Sequence, residues 1–435
     1  MSKLILGWEG NEQSQGSAGL GFTANTAPPA KPALITDTGL ESHVLVVAST
    51  GSGKTRNFVV PQLLSYPGSC VVCDVKGELY HTTQRHRRTL GPVLVIDPFR
   101  LVSDGEDALN VLTSLNAEDP SFIDDVYSIA QLFESNLPAT GKDGAFWSEW
   151  GIDVIAGMIA HVMSSESETD RSLGRVYERL NTADLVYDLA VLLDKEKPSA
   201  FTTSTLGKFI SLPDVTRGGV LATFGQQLRL LASTAVRRTF ATNTIDPSLM
   251  AKGEPFTVYV VWPPDKLASH AALIRIFLTG ITQILIQRKQ RPEHSTLFLV
   301  DEAAQLGKIS ALLTATTLGR GYGIKIAWIF QSIGQLHSAY GQDAQVIIDN
   351  TFSALTFGRQ PNWRTAQALA DALFGDVSVD KVFNLKPDEV MLRMAGTQSM
   401  VGRKLDYLKD SMFAEKFDPN PFYSMQDKMA AGRGS

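Results

Sequence analysis

The sequence predicts an α/β protein with a mostly parallel sheet and an inserted all-helical region. Short apolar runs recur from residue 43 onward, and they are continuous rather than alternating, as expected for strands covered by helices on both faces. Helix-period segments such as 55–64 and 271–289 separate these runs, which is typical of a doubly wound parallel sheet. The predicted strands are Val44–Ala48, Cys70–Val75, Val93–Asp97, Phe256–Trp262, Thr296–Asp301, Ile324–Phe330 and Ser353–Gly358.

Length and patterning divide the 435 residues into three parts. Residues 1–40 are rich in Gly, Ser and Pro and are predicted to form a loosely packed arm. Residues 41–116 and 217–435 carry the strands of the α/β domain. Residues 117–216 have helical periodicity without convincing strands, so we expect an inserted all-α domain there. Its predicted helices include Ile123–Phe133, Trp147–Met163 and Thr182–Leu193.

Charge is distributed unevenly along the chain, although the net charge is only −5. Residues 101–200 hold 19 acidic and 6 basic residues, a balance of −13. The rest of the chain therefore holds 26 acidic and 34 basic residues, a balance of +8. This split indicates either two surfaces with different partners or simply a solvated acidic helical domain.

The two cysteines, Cys70 and Cys73, lie within an apolar run, and we expect them to be buried, reduced thiols. No apolar run reaches the roughly 20 residues that cross a bilayer. The longest candidate, 271–286, is interrupted by Arg275 and is predicted to be a buried helix. The chain is therefore expected to lie in the cytosol.

Residues 48–55 form a phosphate-binding loop between a strand and a helix. Ser49, Thr50, Gly51, Ser52 and Gly53 would wrap a phosphate with backbone N–H groups, assisted by the N-terminus of the helix that follows. Lys54 would reach the β- and γ-phosphates of ATP, and the Thr55 hydroxyl would bind Mg²⁺. Ala48 stands where glycine is commoner.

A second motif, Asp301-Glu302, ends the apolar run that begins at Thr296. Asp301 is expected to hold the Mg²⁺ through water, and Glu302 to polarise the attacking water. Such an acidic pair is common by itself, but it is informative when it follows a phosphate-binding loop. Together the two motifs predict transfer of the terminal phosphoryl group of ATP to water.

Two further residues fit catalytic positions. Gln331 ends the strand Ile324–Phe330, where its side chain would sense the nucleotide or orient water. Arg320 lies on a glycine-rich loop just before that strand and would enter a neighbouring subunit's site as an arginine finger. Spacing alone leaves two alternatives open: Gln331 as a helix cap and Arg320 as an ordinary surface residue.

In these and other motifs the chain resembles the type IV secretion coupling proteins, the TraG/TraD-like conjugative DNA-transfer ATPases. The resemblance runs from about Gly16 to Pro421. It is carried by His43–Thr55, Val60–Ser69, Asp74–Tyr80, Phe146-Trp147, Asp301-Glu302, Leu306-Gly307, Gly319–Gly323, Gln331–Leu336, Tyr340-Gly341 and Asn350.

The resemblance implies a RecA-like motor domain with an all-α domain, and a homo-hexameric ring with ATP sites between subunits. It supports Arg320 as the trans-acting arginine and Gln331 as the sensor. Asp74, Lys76 and Glu78 match a family segment, with a structural or a catalytic role left open. The family usually begins with two membrane-spanning helices, which this sequence lacks before the matching region. We therefore expect an anchorless relative or an engineered soluble form, either in the bacterial cytoplasm or peripheral at the cytoplasmic face of the inner membrane.

The preferred hypothesis is an ATP-driven coupling protein that moves DNA, single-stranded and without sequence preference, or a DNA-bound protein toward a secretion channel. Its partners would be a relaxase or effector protein and the secretion machinery. One alternative is a nucleotide-switched receptor without motor activity, and another is an FtsK-like translocase. The basic residues considered for DNA contacts, with solvated surface charge as the alternative, are Arg85, Arg87, Arg88, Arg237 and Arg238.

Overall fold

The computed structural model of the chain describes residues 3–10, 32–37, 43–134 and 142–422. These residues form one 11-stranded sheet. In chain order its strands are β1 (Ile5–Glu9), β2 (Leu34–Thr36), β3 (His43–Val47), β4 (Cys70–Asp74), β5 (Val93–Ile96), β6 (Thr257–Val261), β7 (Thr296–Val300), β8 (Ile324–Phe330), β9 (Thr351–Phe357), β10 (Glu389–Met394) and β11 (Met400–Arg403).

Across the sheet the strands follow the order β2-β1-β11-β10-β9-β3-β8-β7-β4-β6-β5. From β9 to β5 all neighbours pair in parallel, whereas β10, β11, β1 and β2 form an antiparallel margin. The prediction of a mostly parallel sheet is confirmed. Each predicted strand matches an observed strand to within about two residues at each end.

Burial on both faces explains the continuous apolar runs. In β4, Val71 and Cys73 contribute to the core on one face of the sheet, and Cys70 and Val72 contribute to the core on the other. Both thiols are buried and free, as predicted, and burial raises the pKa of each. A parallel strand between two helical layers therefore has no solvent face to mark with polar residues.

Helices cover both faces of the sheet. In chain order they are α1 (Val60–Ser65), α2 (Glu78–Arg88), α3 (Phe122–Ala130), α4 (Lys142–Ser165), α5 (Leu173–Leu180), α6 (Leu185–Lys195), α7 (Ala200–Ile210), α8 (Asp214–Leu228), α9 (Thr234–Arg238), α10 (Pro247–Lys252), α11 (Pro264–Ile286), α12 (Ser310–Leu318), α13 (Ile333–Tyr340), α14 (Ala344–Asp349), α15 (Trp363–Leu373) and α16 (Val379–Phe383). A wide helical turn over Thr55–Val59 leads directly into α1.

The helical region between β5 and β6 is longer than predicted. The predicted boundary at residues 216 and 217 lies inside α8, and helices continue to Lys252 at the end of α10. Gly219 of α8 packs so closely on Trp147 of α4 that a Cβ there would lie 2.9 Å from the indole ring. Apolar residues of this region join the core on one sheet face, so its packing is continuous with that of the sheet.

The predicted N-terminal arm is wrong in two places, because β1 and β2 belong to the sheet. Trp8 of β1 lies opposite Arg403 of β11, and Ile5 is buried. The buried Gln62 side chain of α1 accepts a hydrogen bond from the Ile5 amide and donates one to the Ile5 carbonyl. These partners are far away in sequence, so local composition alone did not indicate them. Residues 11–31 of the predicted arm lie outside the described residues.

Helix α11 runs through the core, as predicted for its apolar sequence. Among the described residues it is the one helix long and apolar enough to cross a membrane, but 72% of its most apolar window is buried inside the protein. Arg275, in the middle of α11, is buried and donates a hydrogen bond of 2.8 Å to the Leu306 carbonyl. This pairing explains how an arginine is accommodated in a core helix.

Candidate nucleotide site

The phosphate-binding loop leaves β3 at the carboxyl end of the parallel strands and enters the helical turn at Thr55. Gly51 and Gly53 have φ values of +79° and +93°, which favour glycine. A Cβ on Gly53 would also lie 2.1 Å from Oδ1 of Asn57. The Lys54 ammonium donates a hydrogen bond of 2.9 Å to the carbonyl of Ala48, across the loop. The predicted strand, loop and helix are therefore present in the required order.

Glu302 lies at the end of β7, which β8 separates from β3, and it has a left-handed conformation with φ of +52°. Such a backbone conformation is unfavourable for glutamate and is often found at functional sites. Asp301 precedes it and accepts a hydrogen bond from the Glu302 amide. Burial, with a further contribution from Glu302, raises the pKa of Asp301 to about 6, against the lowering effect of Lys54. Burial also lowers the pKa of Lys54, and the two carboxylates oppose that change.

Gln331 connects the two motifs through hydrogen bonds. Its Nε2 donates to Oε2 of Glu302 at 2.7 Å, and its Oε1 accepts from the Thr50 hydroxyl at 3.0 Å. The alternative of a helix cap is not what the structure shows, because Ser332 caps α13 instead. The predicted residues Thr50, Lys54, Thr55, Asp301, Glu302 and Gln331 line one cavity of about 570 Å³.

The chemistry of this cavity fits Mg²⁺. The Thr55 hydroxyl and the Asp301 carboxylate supply the hard oxygen ligands that this ion prefers, and they line the same cavity as the loop that would hold phosphates. Few protein ligands are expected, because Mg²⁺ usually keeps several waters and takes further oxygens from the substrate.

Asp74, Lys76 and Glu78 border the same cavity, and the structure distinguishes their surroundings. Buried Asp74 accepts hydrogen bonds of 2.8 Å from the amides of Gly77 and Tyr80, so it holds the turn that starts α2. Burial raises its pKa to about 7. Glu78 accepts a hydrogen bond from the Asn420 amide, and Lys76 is exposed. Asp74 and Glu78 thus have structural contacts as well as a place on the cavity wall, whereas Lys76 is exposed beside the cavity.

Arg320 lies at the opposite end of β8 from Gln331. The strand has seven residues, so about 20 Å separates its two ends. Arg320 is exposed between Leu318 and Tyr322, and its charge acts on His43 at the start of β3. The structure therefore brings every other predicted catalytic residue together and leaves Arg320 away from the site of its own chain.

A second group of residues at the loop was not predicted. Arg56 forms a two-pronged ion pair with Asp406, at 2.8 and 2.9 Å, and Asn57 donates to the Leu405 carbonyl. Lys404 donates a hydrogen bond of 2.9 Å to the Ser52 carbonyl. These contacts join residues about 350 positions apart, and no local pattern in the sequence indicates them.

The basic residues considered for DNA contacts differ in exposure, and each has a contact within the protein. Arg87 is buried and donates to the carbonyls of Tyr66 and Gly68, so its proposed DNA contact is wrong. Arg85 pairs with Asp418, Arg238 pairs with Glu106, and Arg237 lies over the Tyr177 ring. Arg88 contacts Gln84 within its own helix. Arg87 thus has a structural role, whereas the contacts of the other four lie at or near the protein surface.

Comparison with known families is decisive for the class of protein. The family model for the type IV secretory system conjugative DNA transfer proteins matches residues 19–405. The chain belongs to this family. The resemblance inferred from the motifs is thereby confirmed.

Individual relatives are more distant. The conjugal transfer protein TraG of Agrobacterium fabrum is 28% identical over 308 residues, covering 69% of this chain and 46% of the relative. The type IV secretion system-coupling protein VirD4 of Bartonella quintana is 25% identical, covering 69% and 48%. The chain thus spans about half the length of these relatives. The solved structure of the conjugative coupling protein TrwB matches with a TM-score of 0.64 at 16% identity, covering 86% of this chain and 87% of TrwB. That likeness confirms the predicted RecA-like fold.

Proposed function

We propose that this chain is an ATP-hydrolysing coupling protein that recruits DNA, nucleoprotein or protein substrates and drives them toward a type IV secretion channel. The observation that carries the proposal is the hydrogen-bonded series Thr50–Gln331–Glu302, which links the phosphate-binding loop to the acidic pair across one cavity. A TrwB structure in complex with ADP and Mg²⁺ supports the assignment of these ligands by analogy of fold.

The residues of the cavity divide the chemistry among them. The Lys54 ammonium would exchange the Ala48 carbonyl for phosphate oxygens when nucleotide enters. Thr55 and Asp301 would hold Mg²⁺, which would neutralise part of the negative charge on the phosphate oxygens. Glu302 would orient a water whose oxygen bonds to the γ-phosphorus while the bond to the β–γ bridging oxygen breaks. ADP and inorganic phosphate are then the products, and the water's proton leaves toward the Glu302 carboxylate.

Gln331 would couple this step to the rest of the protein. It contacts both Thr50 of the phosphate-binding loop and Glu302, and it stands at the junction of β8 and α13. A change at the γ-phosphate position would alter both hydrogen bonds. We propose that α13 transmits the nucleotide state in this way.

A complete site would require a second copy of the chain. Arg320 is exposed and about 20 Å from its own cavity, so it is proposed to act on a neighbour's γ-phosphate within a homo-hexameric ring. The net charge of +8 outside residues 101–200 favours binding of single-stranded DNA, without sequence preference, in the central channel of such a ring. The acidic helices favour binding of a basic relaxase or effector protein. The proposed location is the cytoplasmic face of the inner membrane, beside the secretion machinery.

Measurement of ATP turnover with and without single-stranded DNA tests the proposal. The wild-type chain is expected to hydrolyse ATP faster with DNA, and Lys54→Ala is expected to lose about 10²–10³-fold in rate because the phosphates lose a direct contact. Lys381→Ala, an exposed lysine of α16, is the matched control. Absence of turnover in a wild-type chain whose measured mass is hexameric would contradict the motor and favour a nucleotide-switched receptor.

A further inference from the structure

The phosphate-binding loop has a second cavity on the side away from Asp301 and Glu302. Its volume is about 770 Å³, and it is bordered by residues 49–53 of the loop and by Asn57. The opposite wall comes from the end of β9, the loop before β10, the last residue of β11 and the segment 404–410 that follows it. Because both cavities share the loop, a nucleotide whose terminal phosphates lie in the first would extend toward the second.

Lys404 is the residue of this wall that contacts the loop itself. Its ammonium donates a hydrogen bond of 2.9 Å to the Ser52 carbonyl and lies 5.6 Å from the centre of the Phe357 ring. At Gly358, with φ of +60°, a Cβ would lie only 3.1 Å from the ammonium. The backbone around Lys404 is also fixed, since its amide donates to the Asp388 carbonyl. The ammonium is thus held in place on several sides.

Neighbouring contacts hold the whole segment against the helix that follows the loop. The Asn57–Leu405 hydrogen bond and the Arg56–Asp406 ion pair involve the two residues that directly follow Lys404. A flexible surface lysine would sample many positions, but this one has a defined acceptor within the loop.

We propose that Lys404 is a nucleotide-positioning residue, which holds the Ser52 carbonyl and places a positive charge beside the phosphates on the side opposite Lys54. The inference deepens the proposed function and rests on its nucleoside triphosphate ligand. Because the Ser52 carbonyl is held, the loop's N–H groups keep their orientation toward the phosphates. The charge itself favours a polyanion, and the partly buried position reduces its screening by water.

The charge of Lys404 is sensitive to pH in an accessible range. Burial lowers its pKa to about 8, and Asp388 opposes that change. The charged residues that border the same cavity are Arg56, Arg359, Asp388, Arg403, Asp406, Lys409 and Asp410. A lysine with this pKa is charged at lower pH and loses its charge as the pH rises through about 8. Nucleotide affinity should therefore fall across that range.

The test is the affinity for a fluorescent Mg²⁺–ATP analogue from about pH 7.5 to about pH 9.5, where Asp301 and Asp74 remain mainly ionised. At pH 7.5, Lys404→Met is expected to bind at least about tenfold more weakly than wild type, because a charged hydrogen bond is lost. Its affinity should then change little with pH. Lys404→Arg should bind within about threefold of wild type at pH 7.5 and keep that affinity at high pH, since a guanidinium stays charged. Lys381→Met, which changes an exposed lysine of α16 that does not border this cavity, is the control.

The pH profile separates this role from a purely structural one. Wild-type affinity that falls as the pH rises through about 8, with no fall in either Lys404 variant, supports the proposal. Wild-type and Lys404→Met affinities that agree at pH 7.5, or that decline in parallel, overturn it. Lys54→Ala shows which idea has failed: if it loses binding while Lys404→Met does not, the nucleotide site stands and only the role of Lys404 is wrong. If Lys54→Ala also binds like wild type, the proposed site itself is wrong.

Discussion

The two ends of the parallel strands differ in how they hold their polar residues. At the carboxyl end, Lys54, Glu302 and Gln331 face an open cavity and contact one another through hydrogen bonds or charge. At the amino end, Asp37 and Lys325 form an ion pair of 3.2 Å in which both side chains are buried. The first arrangement leaves room for a ligand and the second does not. The Asp37–Lys325 pair therefore serves stability, whereas Arg320, at the same end of the sheet, is exposed.

The strongest test of this contrast is a mixture of two variants. Arg320→Ala is expected to lower turnover by about 10³-fold while nucleotide affinity stays within about twofold, because the arginine would act in the transition state on a neighbour. Glu302→Gln should also be inactive. In a one-to-one mixture, about a quarter of the interfaces would combine an intact Arg320 with an intact Glu302. Turnover should then return to about a quarter of the wild-type value.

Arg364→Ala, which changes an exposed arginine of α15, provides the control for the loss of charge. Full turnover in Arg320→Ala would mean that the two ends of the sheet are functionally independent. Two inactive variants that stay inactive when mixed, with mixed oligomers shown by mass measurement, would place Arg320 and Glu302 outside a shared site.

The buried ion pair between Asp37 and Lys325 should affect the stability of the fold rather than ATP hydrolysis. Asp37→Asn leaves Lys325 buried without its charged partner, and the expected loss is about 3–5 kcal/mol in the free energy of unfolding. Burial already lowers the pKa of Lys325, so the lysine would respond by losing its proton more readily. Adding Lys325→Met should recover most of the loss, because no uncompensated charge then remains. Denaturant unfolding measures both effects.

Nucleotide affinity of the folded variants provides the matching control. The pair lies at the amino end of β8, so affinity should stay within about twofold of wild type. If the double variant is less stable than both single variants, the ion pair contributes more to the free energy of unfolding than the cancellation of its two buried charges. Affinity loss in a folded variant would mean that the two ends of the sheet are coupled.

The sequence was most informative where one short segment contains all the residues that identify a structural element. The strand through Val44 is buried on both faces, so its apolar run predicts it without any knowledge of its partners. The phosphate-binding loop is likewise local, because strand, glycines and helix follow one another. Gln331 was predicted only from its position after a strand, and its two hydrogen bonds required the sheet order to bring β3, β8 and β7 side by side.

Long-range contacts account for what was missed. Strand β1 was predicted to be loop because its partner, β11, is almost 400 residues away and its own segment is short. Lys404 follows β11 and would have been an ordinary basic residue in any local pattern. Its significance comes from the antiparallel margin of the sheet, which returns the chain to the loop at Ser52. Pairings of this kind depend on tertiary packing, which local propensity does not specify.

The smallest expected effect concerns His43, at the amino end of β3. Its Nδ1 accepts a hydrogen bond from the Ile326 amide, and burial, with Lys325 and Arg320 nearby, lowers its pKa to about 4. The folded state thus keeps His43 neutral, whereas the unfolded chain binds a proton near pH 6.5. The contribution of His43 to the free energy of unfolding is therefore fully present above pH 6.5 and is lost as the pH falls toward 4. Between pH 7 and pH 5 the expected loss is on the order of 2 kcal/mol.

His43→Asn isolates this contribution, because an amide oxygen can replace Nδ1 as the acceptor but does not titrate. Chemical unfolding at both pH values should show a drop in the free energy of unfolding that is about 2 kcal/mol smaller in the variant than in wild type. His337→Asn, which changes an exposed histidine of α13, should behave like wild type. An equal drop in His43→Asn and wild type would assign the acid sensitivity to other groups. A reduced drop would show that the amino end of the sheet depends on a histidine kept neutral beside two cations.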